Sequence, residues 1–318
     1  MAIFVTQVVS EHEDSAISSA IELLRGGNLV AVPTETVYGL AADATETCAV
    51  QQIYAVKGRP SNNPLICHVS GPEMARAYVD VPPLAEKLMA RFWPGPLTLV
   101  LPRRVDANIA APVSAGLSTL AVRCPARKST RRIIEGLGHP IAAPSANPSG
   151  RLSPTSTADV LAGLGGNIPL VIDGGDTEEG IESTIIGVKE GKLYLLRPGT
   201  VTVDEIADAT GETVYDRDEG EITAPGQLAS HYAPNAAVRL NATEPEDGEV
   251  LIGFGAITGD FTLSLSGDLR EAAQKLFKTL RAADAAGATT IAVAPVPMHG
   301  IGIAINDRLK RAAAPRTA

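Results

Sequence analysis

The chain contains a short cationic segment in which Lys57 and Arg59 stand two residues apart. A helical pattern over residues 46–57 precedes the segment, so both cations would leave the end of one helix together. Arginine offers a planar fork to phosphate groups, and lysine offers a compact point charge. Pro60 and Pro64 fix the backbone φ angle and so hold the loop between them. The segment predicts either a solvated basic turn or part of a polyanion site, depending on its neighbours.

Two further arginines lie at predicted strand ends. Arg123 interrupts an apolar strand, where burial is costly unless the guanidinium has an anionic partner. That partner is either an internal carboxylate or a ligand. Arg197 directly follows another predicted strand, and neither arginine has a carboxylate beside it in the local sequence. Together with the first two cations, they favour a pocket for a strongly anionic small molecule.

Polar side chains follow several predicted strands. Thr34 comes just after a buried strand, where a threonine either caps a turn or contacts a ligand. His68 shares a strand face with Ile66 by period-2 alternation, and it is either a core residue or part of a site. Ser145 and Asn147 lie in a loop between prolines, and loops with fixed polar groups often carry functional sites.

Several kinds of site are not supported by the sequence. It contains no Walker A motif, no Gly-x-Ser-x-Gly elbow and no acidic cluster of metal-ligand density. A dinucleotide fingerprint near Gly253 and Gly255 is incomplete, because Gly259 falls one residue late. The remaining chemistry is positioning and charge neutralisation, which suits phosphoryl or nucleotidyl transfer.

Composition describes an ordinary globular protein. The 318 residues are 45% hydrophobic and 20% charged, with a net charge of −9. The acidic balance argues against broad electrostatic binding of nucleic acid. Three separated cysteines without a C-x-x-C pair indicate a reducing compartment, and no apolar run approaches the roughly 18 residues of a membrane span. We therefore expect a cytoplasmic protein.

The periodicity predicts an α+β fold with a mixed, twisted sheet over residues 1–206. A linker-like composition covers residues 207–234, and residues 235–318 form a small Rossmann-like α/β unit. The predicted helices cover residues 13–25, 46–57, 83–92, 268–286 and 301–311. The predicted strands cover residues 29–32, 65–69, 97–101, 118–125, 170–173, 182–186, 193–196, 250–254 and 290–294, with another beginning at residue 141.

Motifs along the chain resemble the YrdC/Sua5 family, in the same order. They begin at Pro33 and continue through Lys57-x-Arg59 and a Trp-Pro-Gly-Pro segment at residues 93–96. Arg123-Cys124-Pro125, Pro144-Ser145-Ala146-Asn147 and Glu182-Ser183-Thr184 follow. His231-Tyr232-Ala233-Pro234 and the appended unit are similar to the long, Sua5 form of the family, so the resemblance covers nearly the whole chain.

The resemblance implies a YrdC-like domain followed by a Sua5 domain, and threonylcarbamoyl-AMP synthase activity. Such a nucleotidyltransferase condenses L-threonine, bicarbonate or CO2, and ATP into threonylcarbamoyl-AMP and pyrophosphate. The product feeds the t6A modification at position 37 of tRNAs that read ANN codons. A separate threonylcarbamoyl transferase complex would receive the product. Binding of tRNA by this chain itself is not expected to be strong.

The resemblance also implies site residues. Lys57 and Arg59 would be catalytic, offsetting charge as pyrophosphate leaves. Mg²⁺ would arrive with ATP and not on protein side chains. The implied ATP-binding residues are Lys57, Arg59, Asn63, Thr119, Ser145, Asn147, Arg197 and Tyr232. The implied threonine-binding residues are Thr34, His68, Arg123, Ala143 (through its backbone) and Ser183.

The linker is expected to act as a lid that protects a labile mixed anhydride from water. The residue before its His231-Tyr232 pair is often basic in the family, but here it is Ser230, so no phosphate contact is expected there. The alternative function is a module that binds double-stranded RNA or tRNA. Such binding would fall on the order of a thousandfold between about 50 and 200 mM salt. A hydrogenase-maturation enzyme with a related domain would add Cys-rich zinc motifs, which are absent from the sequence.

Overall fold

The computed structural model describes residues 4–216 and 231–315. Among these residues, no helix has both the length and the apolar composition that crossing a membrane requires. The helices are α1 (Asp14–Arg25), α2 (Thr47–Lys57), α3 (Pro72–Arg76), α4 (Pro83–Phe92), α5 (Ala111–Ser114), α6 (Lys128–Leu137), α7 (Thr157–Leu164), α8 (Val203–Thr210), α9 (Leu269–Ala285) and α10 (Gly302–Ala312). The strands are β1 (Gln7–Ser10), β2 (Val30–Val32), β3 (Gly39–Asp43), β4 (Ile66–His68), β5 (Leu97–Pro102), β6 (Thr119–Arg123), β7 (Ile141–Ala142), β8 (Leu170–Asp173), β9 (Thr184–Lys189), β10 (Lys192–Arg197), β11 (Val214–Asp216), β12 (Ala237–Leu240), β13 (Glu249–Gly253), β14 (Phe261–Thr262) and β15 (Thr290–Val293).

The first domain is built on a mixed sheet that, within the described residues, has the strand order β1-β8-β2-β3-β7-β4-β6-β5-β9-β10-β11. Parallel pairs such as β4–β6 alternate with antiparallel pairs such as β5–β6. The largest apolar core lies against one face of the central strands, where it includes Cys67, Leu120 and Val122. Helices α2, α4 and α8 contribute Ile53, Leu88 and Ile206 to the same core.

The opposite face of the central strands carries the polar residues of interest. Side chains alternate between the two faces of a strand, so Ala121 and Arg123 point away from the face that buries Val122. The parallel register pairs His68 with Arg123 and Ile66 with Ala121. Neighbouring strands therefore bring a histidine and a buried arginine side by side, at the same end of the sheet.

The second domain is a parallel sheet in the order β12-β15-β13-β14, with α9 and α10 contributing to its core. This apolar core also includes Val37, Leu152 and Ile181 of the first domain. The two domains thus share buried apolar surface, and Tyr232 is part of it. Burial of these side chains at the junction holds the second domain against the site end of the first.

The structure confirms the predicted fold class, a mixed sheet domain followed by a small α/β unit. It differs from the linker prediction over residues 207–216. Helix α8 continues to Thr210, and β11 pairs in parallel with β10. A capping box between Thr202 and Glu205 starts α8, and buried Ile206 anchors it, so few apolar residues are enough. The rest of the predicted linker, residues 217–230, lies outside the described residues, including Ser230.

Candidate active site

A cavity lies on the polar face of the first sheet, at its junction with the second domain. Most of the predicted site residues line it: Thr34, Arg59, His68, Arg123, Ala143, Ser145, Ser183, Arg197 and Tyr232. Its remaining lining residues are Thr36, Val37, Gly39, Ile66, Pro144, Glu182 and His231. We refer to this space as the site cavity.

Arg59 reaches the site cavity because of how α2 ends. Gly58 takes the left-handed conformation with a φ of 60°, which glycine adopts at little cost, and this turns the chain after Lys57. The Arg59 guanidinium then donates hydrogen bonds to the side-chain oxygen of Asn63 at 2.7 Å and to the carbonyl of Pro64 at 2.9 Å. Burial lowers the pKa of Arg59 to about 10, so the group stays cationic near neutral pH.

Arg197 is held at the end of β10 by the backbone and side chain of one residue. Its Nε donates to the Ser183 carbonyl at 3.0 Å, and its Nη2 donates to the Ser183 hydroxyl at 3.1 Å. Within the described part of the chain, neither Arg197 nor Arg59 forms a salt bridge with a carboxylate. The charge of Arg197 also lowers the pKa of Arg59, so the two positive charges act on each other. An anion in the site cavity would relieve that repulsion.

Arg123 has the internal partner that the sequence left open. Its Nη2 lies 2.6 Å from a carboxylate oxygen of Glu35, although these two atoms do not have hydrogen-bond geometry. Its other nitrogens donate to the Gly95 carbonyl at 3.3 Å and to the Thr36 hydroxyl at 2.9 Å. The ion pair offsets the burial cost of Arg123 and also orients the guanidinium at the cavity wall.

Thr34 takes one of the two roles considered for it, capping a turn, and it also lies at the site cavity. Its hydroxyl donates to the carbonyl of Val37 at 2.6 Å and accepts from the backbone N–H of Thr36 at 3.2 Å. It thereby caps the turn between β2 and β3. The same side chain lines the site cavity, so the capped turn presents a hydroxyl to a ligand.

Lys57, by contrast, is not among the residues that line the site cavity. Its buried ammonium donates to the carbonyl of Ser145 at 2.5 Å and to the carbonyl of Asn147. The Asn147 amide donates in turn to the carbonyls of Pro148 and Arg151. Burial, with a smaller effect of the Arg59 charge, lowers the pKa of Lys57 well below its usual value. In this structure, Lys57 organises the loop that presents Ser145.

Asn63 and Thr119 also lie outside the cavity lining. Asn63 acts on the cavity through Arg59, whose guanidinium it holds. Thr119 is at the beginning of β6, at the opposite end of that strand from Arg123. It shares the strand face of Ala121 and Arg123 by alternation, so it lies along the same face of the sheet and farther from the cavity.

Two histidines in the cavity wall are held neutral. Burial, with a smaller effect of the positive charge of Arg123, lowers the pKa of His68 to about 3. Burial likewise lowers the pKa of His231 to about 3, with contributions from the charges of Arg59, Lys57 and Arg197. The Nδ1 atom of each ring has no hydrogen-bond partner within the described residues. Each ring can therefore offer a nitrogen to a neutral or anionic ligand without adding charge.

The buried histidines should destabilise the protein in acid. Their folded pKa values near 3 lie below the unfolded value of 6.5, so the unfolded chain takes up protons first as the pH falls. We expect each to cost about 2 kcal/mol of unfolding free energy at about pH 5 relative to neutral pH. Urea unfolding at a series of pH values measures this loss. H68Q and H231Q should each flatten the profile by that amount, whereas H299Q, at an exposed position, should not. Equal slopes in all three variants would contradict the assignment.

The site cavity is also lined by Glu182, Thr36 and His231, to which the sequence assigned no role. Glu182 and His231 directly precede Ser183 and Tyr232, and Thr36 lies two residues after Thr34, so the motif segments contain all three. Tyr232 has a positive φ of 60°, is 1% exposed, and packs on Phe277 with ring centroids 5.4 Å apart. The second domain thus fixes one wall of the cavity. The arrangement can neutralise an anion by buried guanidinium groups and orient it by hydroxyls.

Comparison with known proteins agrees with this geometry. The sequence profile of the Sua5/YciO/YrdC domain, described as "Telomere recombination", matches residues 22–199. The profile described as "Threonylcarbamoyl-AMP synthase, C-terminal domain" matches residues 201–314. The chain belongs to the Sua5/YrdC family, in its long form. The motif resemblance in the sequence is thereby confirmed over both domains of this Sua5-type chain.

Two curated relatives cover nearly all of the Sua5-type chain. Threonylcarbamoyl-AMP synthase of Pyrococcus abyssi is 41% identical over 94% of this chain and 94% of its own length. The synthase of Bacillus subtilis is 38% identical over 95% and 94%, respectively. A crystal structure of P. abyssi Sua5 complexed with L-threonine superposes with a TM-score of 0.86 at 38% identity, covering 98% of this chain and 97% of that one. Escherichia coli YciO, at 20% identity and a TM-score of 0.54, covers 63% of this chain and 96% of its own and shares the fold.

Proposed function

We propose that this chain synthesises threonylcarbamoyl-AMP from L-threonine, bicarbonate or CO2, and ATP, with release of pyrophosphate. The observation that carries the proposal is one cavity in which Arg59 and Arg197 are buried and, within the described residues, form no salt bridge. Arg123, which is paired with Glu35, lines the same cavity. Membership of the Sua5 family and the names of the full-length relatives support the same activity. We assign the reaction to the nucleotidyltransferases.

For ATP, we propose that Arg59 and Arg197 neutralise the phosphates and that Ser145 and Tyr232 line the rest of the path. Lys57, Asn63 and Asn147 would act on the nucleotide through this framework, because their present contacts hold Arg59 and the Ser145 loop. A modest shift of that loop would bring the Lys57 ammonium to a phosphate. Thr119, farther along the same sheet face, would contact the nucleoside end.

For threonine, we propose that Arg123 binds the carboxylate and that Thr34, His68, Ser183 and the backbone of Ala143 surround the rest of the amino acid. Arg123 keeps N–H groups beyond those that contact Glu35, Gly95 and Thr36, because a guanidinium has five donors. A neutral imidazole at residue 68 suits the site, since it adds a hydrogen-bonding nitrogen without repelling the ammonium or amine. The P. abyssi relative is described as complexed with L-threonine, which supports threonine as a ligand of this chain.

The reaction then has two steps. The threonine amine attacks CO2, forms a C–N bond and releases a proton, which gives a carbamate. A carbamate oxygen attacks the α-phosphorus of ATP, and the bond from that phosphorus to the bridging oxygen breaks with departure of pyrophosphate. Preorganised guanidinium groups stabilise the charge that develops on the phosphates. Mg²⁺ bound to the nucleotide would neutralise further charge. We propose that it comes with ATP.

We propose that the product passes to a separate tRNA threonylcarbamoyl transferase complex in the cytoplasm, for t6A formation at position 37. The three unpaired cysteines among the described residues suit a reducing compartment. Residues 217–234 would act as the lid over the mixed anhydride, supported by His231 and Tyr232 in the cavity lining. The start of the second domain at residue 235 stays a prediction, and we place the connecting segment after β11, which ends at Asp216.

The proposal is tested by a pyrophosphate-release assay in which ATP, threonine and bicarbonate are omitted one at a time. Release should require all three, because the carbamate forms only from threonine and CO2 and the leaving group comes from ATP. Serine-free threonine and CO2-depleted buffer serve as controls for contaminating substrates. Release that persists without threonine or without bicarbonate would contradict the proposed reaction and indicate simple ATP hydrolysis.

A further inference from the structure

A buried arginine of the second domain reaches the wall of the site cavity. Arg308, on α10, is 0% exposed. Its Nε donates to a carboxylate oxygen of Glu182 at 2.9 Å, and its Nη2 donates to the Glu182 carbonyl at 3.3 Å. Its Nη1 donates to the Pro198 carbonyl at 2.9 Å, next to Arg197. Its Nη1 also donates to the carboxylate of Asp307 on the same helix at 2.8 Å. The donors of Arg308 are thus shared between Asp307 and the segments that carry two cavity residues, although Arg308 does not line the cavity itself.

Arg308 also contacts the aromatic ring of Tyr232, another residue of the cavity wall. Its guanidinium carbon lies 5.3 Å from the centre of the Tyr232 ring, a cation–π distance. The fold therefore places one fully buried cation between the only carboxylate that lines the described cavity, Glu182, and the ring of Tyr232. A carboxylate in the wall of an anion site works against ligand binding unless its charge is offset.

We propose that Arg308 is a positioning residue for threonylcarbamoyl-AMP synthesis, which neutralises Glu182 and fixes Tyr232 so that the site cavity stays net cationic towards ATP and threonine. This inference rests on the proposed function and gives the second domain a direct part in it. Neither Arg308 nor its pairing is apparent from the sequence, because the two partners are 126 residues apart.

The charges around Glu182 determine what loss of Arg308 would do. Burial raises the pKa of Glu182, while the charges of Arg308 and Arg197 and the hydroxyl of Ser153 lower it, and the net effect is a lowered pKa. The polar and charged groups that face it are Arg308 and Asp307 from α10, Arg197 from β10, Ser153 from the loop before α7, and His231 and Tyr232 from the segment before β12. Without Arg308, less positive charge would oppose the effect of burial, which raises the pKa of Glu182. Glu182 would then titrate at a higher pH, and its anion would repel the substrates.

The test uses the full-length protein and measures the KM for ATP in pyrophosphate release between about pH 6 and pH 8.5. R308M should raise this KM at least about tenfold at the alkaline end, equivalent to roughly 1.4 kcal/mol of binding. The increase should shrink as the pH falls and Glu182 becomes neutral. Adding E182Q to R308M should remove the pH dependence and return KM to within about threefold of wild type. A purely structural role would leave R308M weaker at every pH.

The matched control is R270M. Arg270 also joins the second domain to the first, through an ion pair with Glu179 at 3.4 Å, and neither residue lines the site cavity. R270M should keep the wild-type KM and pH profile. Identical profiles for R308M and R270M would overturn the inference.

Further variants keep the test decisive if R308M does not fold. R308K retains the charge and should keep the wild-type pH profile. The double variant carries no buried unpaired charge at this position, and a tenfold or larger pH-dependent rise of its KM would overturn the inference. Failure of the proposed function is distinguishable, since wild-type protein would then release no pyrophosphate that depends on threonine.

Discussion

Replacing Arg59 with alanine should reduce pyrophosphate release at least about hundredfold, the usual cost of removing a preorganised charge-stabilising donor. Arg59 is buried in the site cavity without a carboxylate partner in the described chain, so its charge is available to the nucleotide. The measurement is the initial rate at saturating threonine and bicarbonate with ATP varied. R91A removes an exposed arginine on α4 and should leave the rate unchanged.

K57A should also abolish turnover, and part of this loss should come from a disturbed loop and not from a missing charge alone. The Lys57 ammonium holds the carbonyls of Ser145 and Asn147, so the variant loses both a cation and the support of that loop. We expect the melting temperature of K57A to fall. R59A loses only the contacts of Arg59 to Asn63 and Pro64, and circular dichroism should show that it stays folded. Unaltered turnover in both variants would remove the catalytic assignment of the Lys57-x-Arg59 segment.

Deleting residues 217–318 should leave the first sheet formed but almost inactive, again with a loss of at least about hundredfold. The deletion removes Tyr232 and His231 from the cavity wall and takes away Arg308, which neutralises Glu182. Ending the fragment at residue 216 keeps α8 and β11, which belong to the first domain. Threonine- and ATP-dependent pyrophosphate release measures the effect.

The same deletion should lower stability. Val37, Leu152 and Ile181 would lose the apolar core that they share with the second domain. Exposing such side chains costs about 1.5–3 kcal/mol each when burial was complete. The exposed apolar side chains should also make the fragment less soluble. Serine at positions 37, 152 and 181 should restore its solubility but not its turnover. A fragment as active as the whole chain would contradict both the lid and the role of the second domain.

Local patterns in the sequence predicted the elements that carry the site. The segment before Lys57 forms α2, and alternation correctly put His68 and Ile66 on one strand face that lines the cavity. Helix α6 was missed although Ile133, Ile134 and Leu137 have helical spacing and are buried. Helix α7 was missed although Ser156 and Asp159 form a capping box, a signal that was readable.

Contacts between distant segments could not be predicted in the same way. The partner of Arg123 proved to be Glu35, which lies on a turn and has no periodic relation to it. The family resemblance implied that Lys57 contacts the ATP phosphates, and the local sequence gave no sign that its ammonium also donates to the carbonyls of Ser145 and Asn147. Such pairings depend on how strands order themselves in the sheet, and β7 between β3 and β4 brings the Ser145 loop to α2. Local sequence patterns predict which segments form helices and strands, but they do not predict the order of the strands in the sheet.

The most direct test of the central claim is a crystal structure of this chain with threonine and a non-hydrolysable ATP analogue bound together. We expect the triphosphate to lie against Arg59 and Arg197, with the threonine carboxylate bound to Arg123 in the same cavity. Phosphates bound elsewhere, with these arginines contacting only protein atoms, would contradict it.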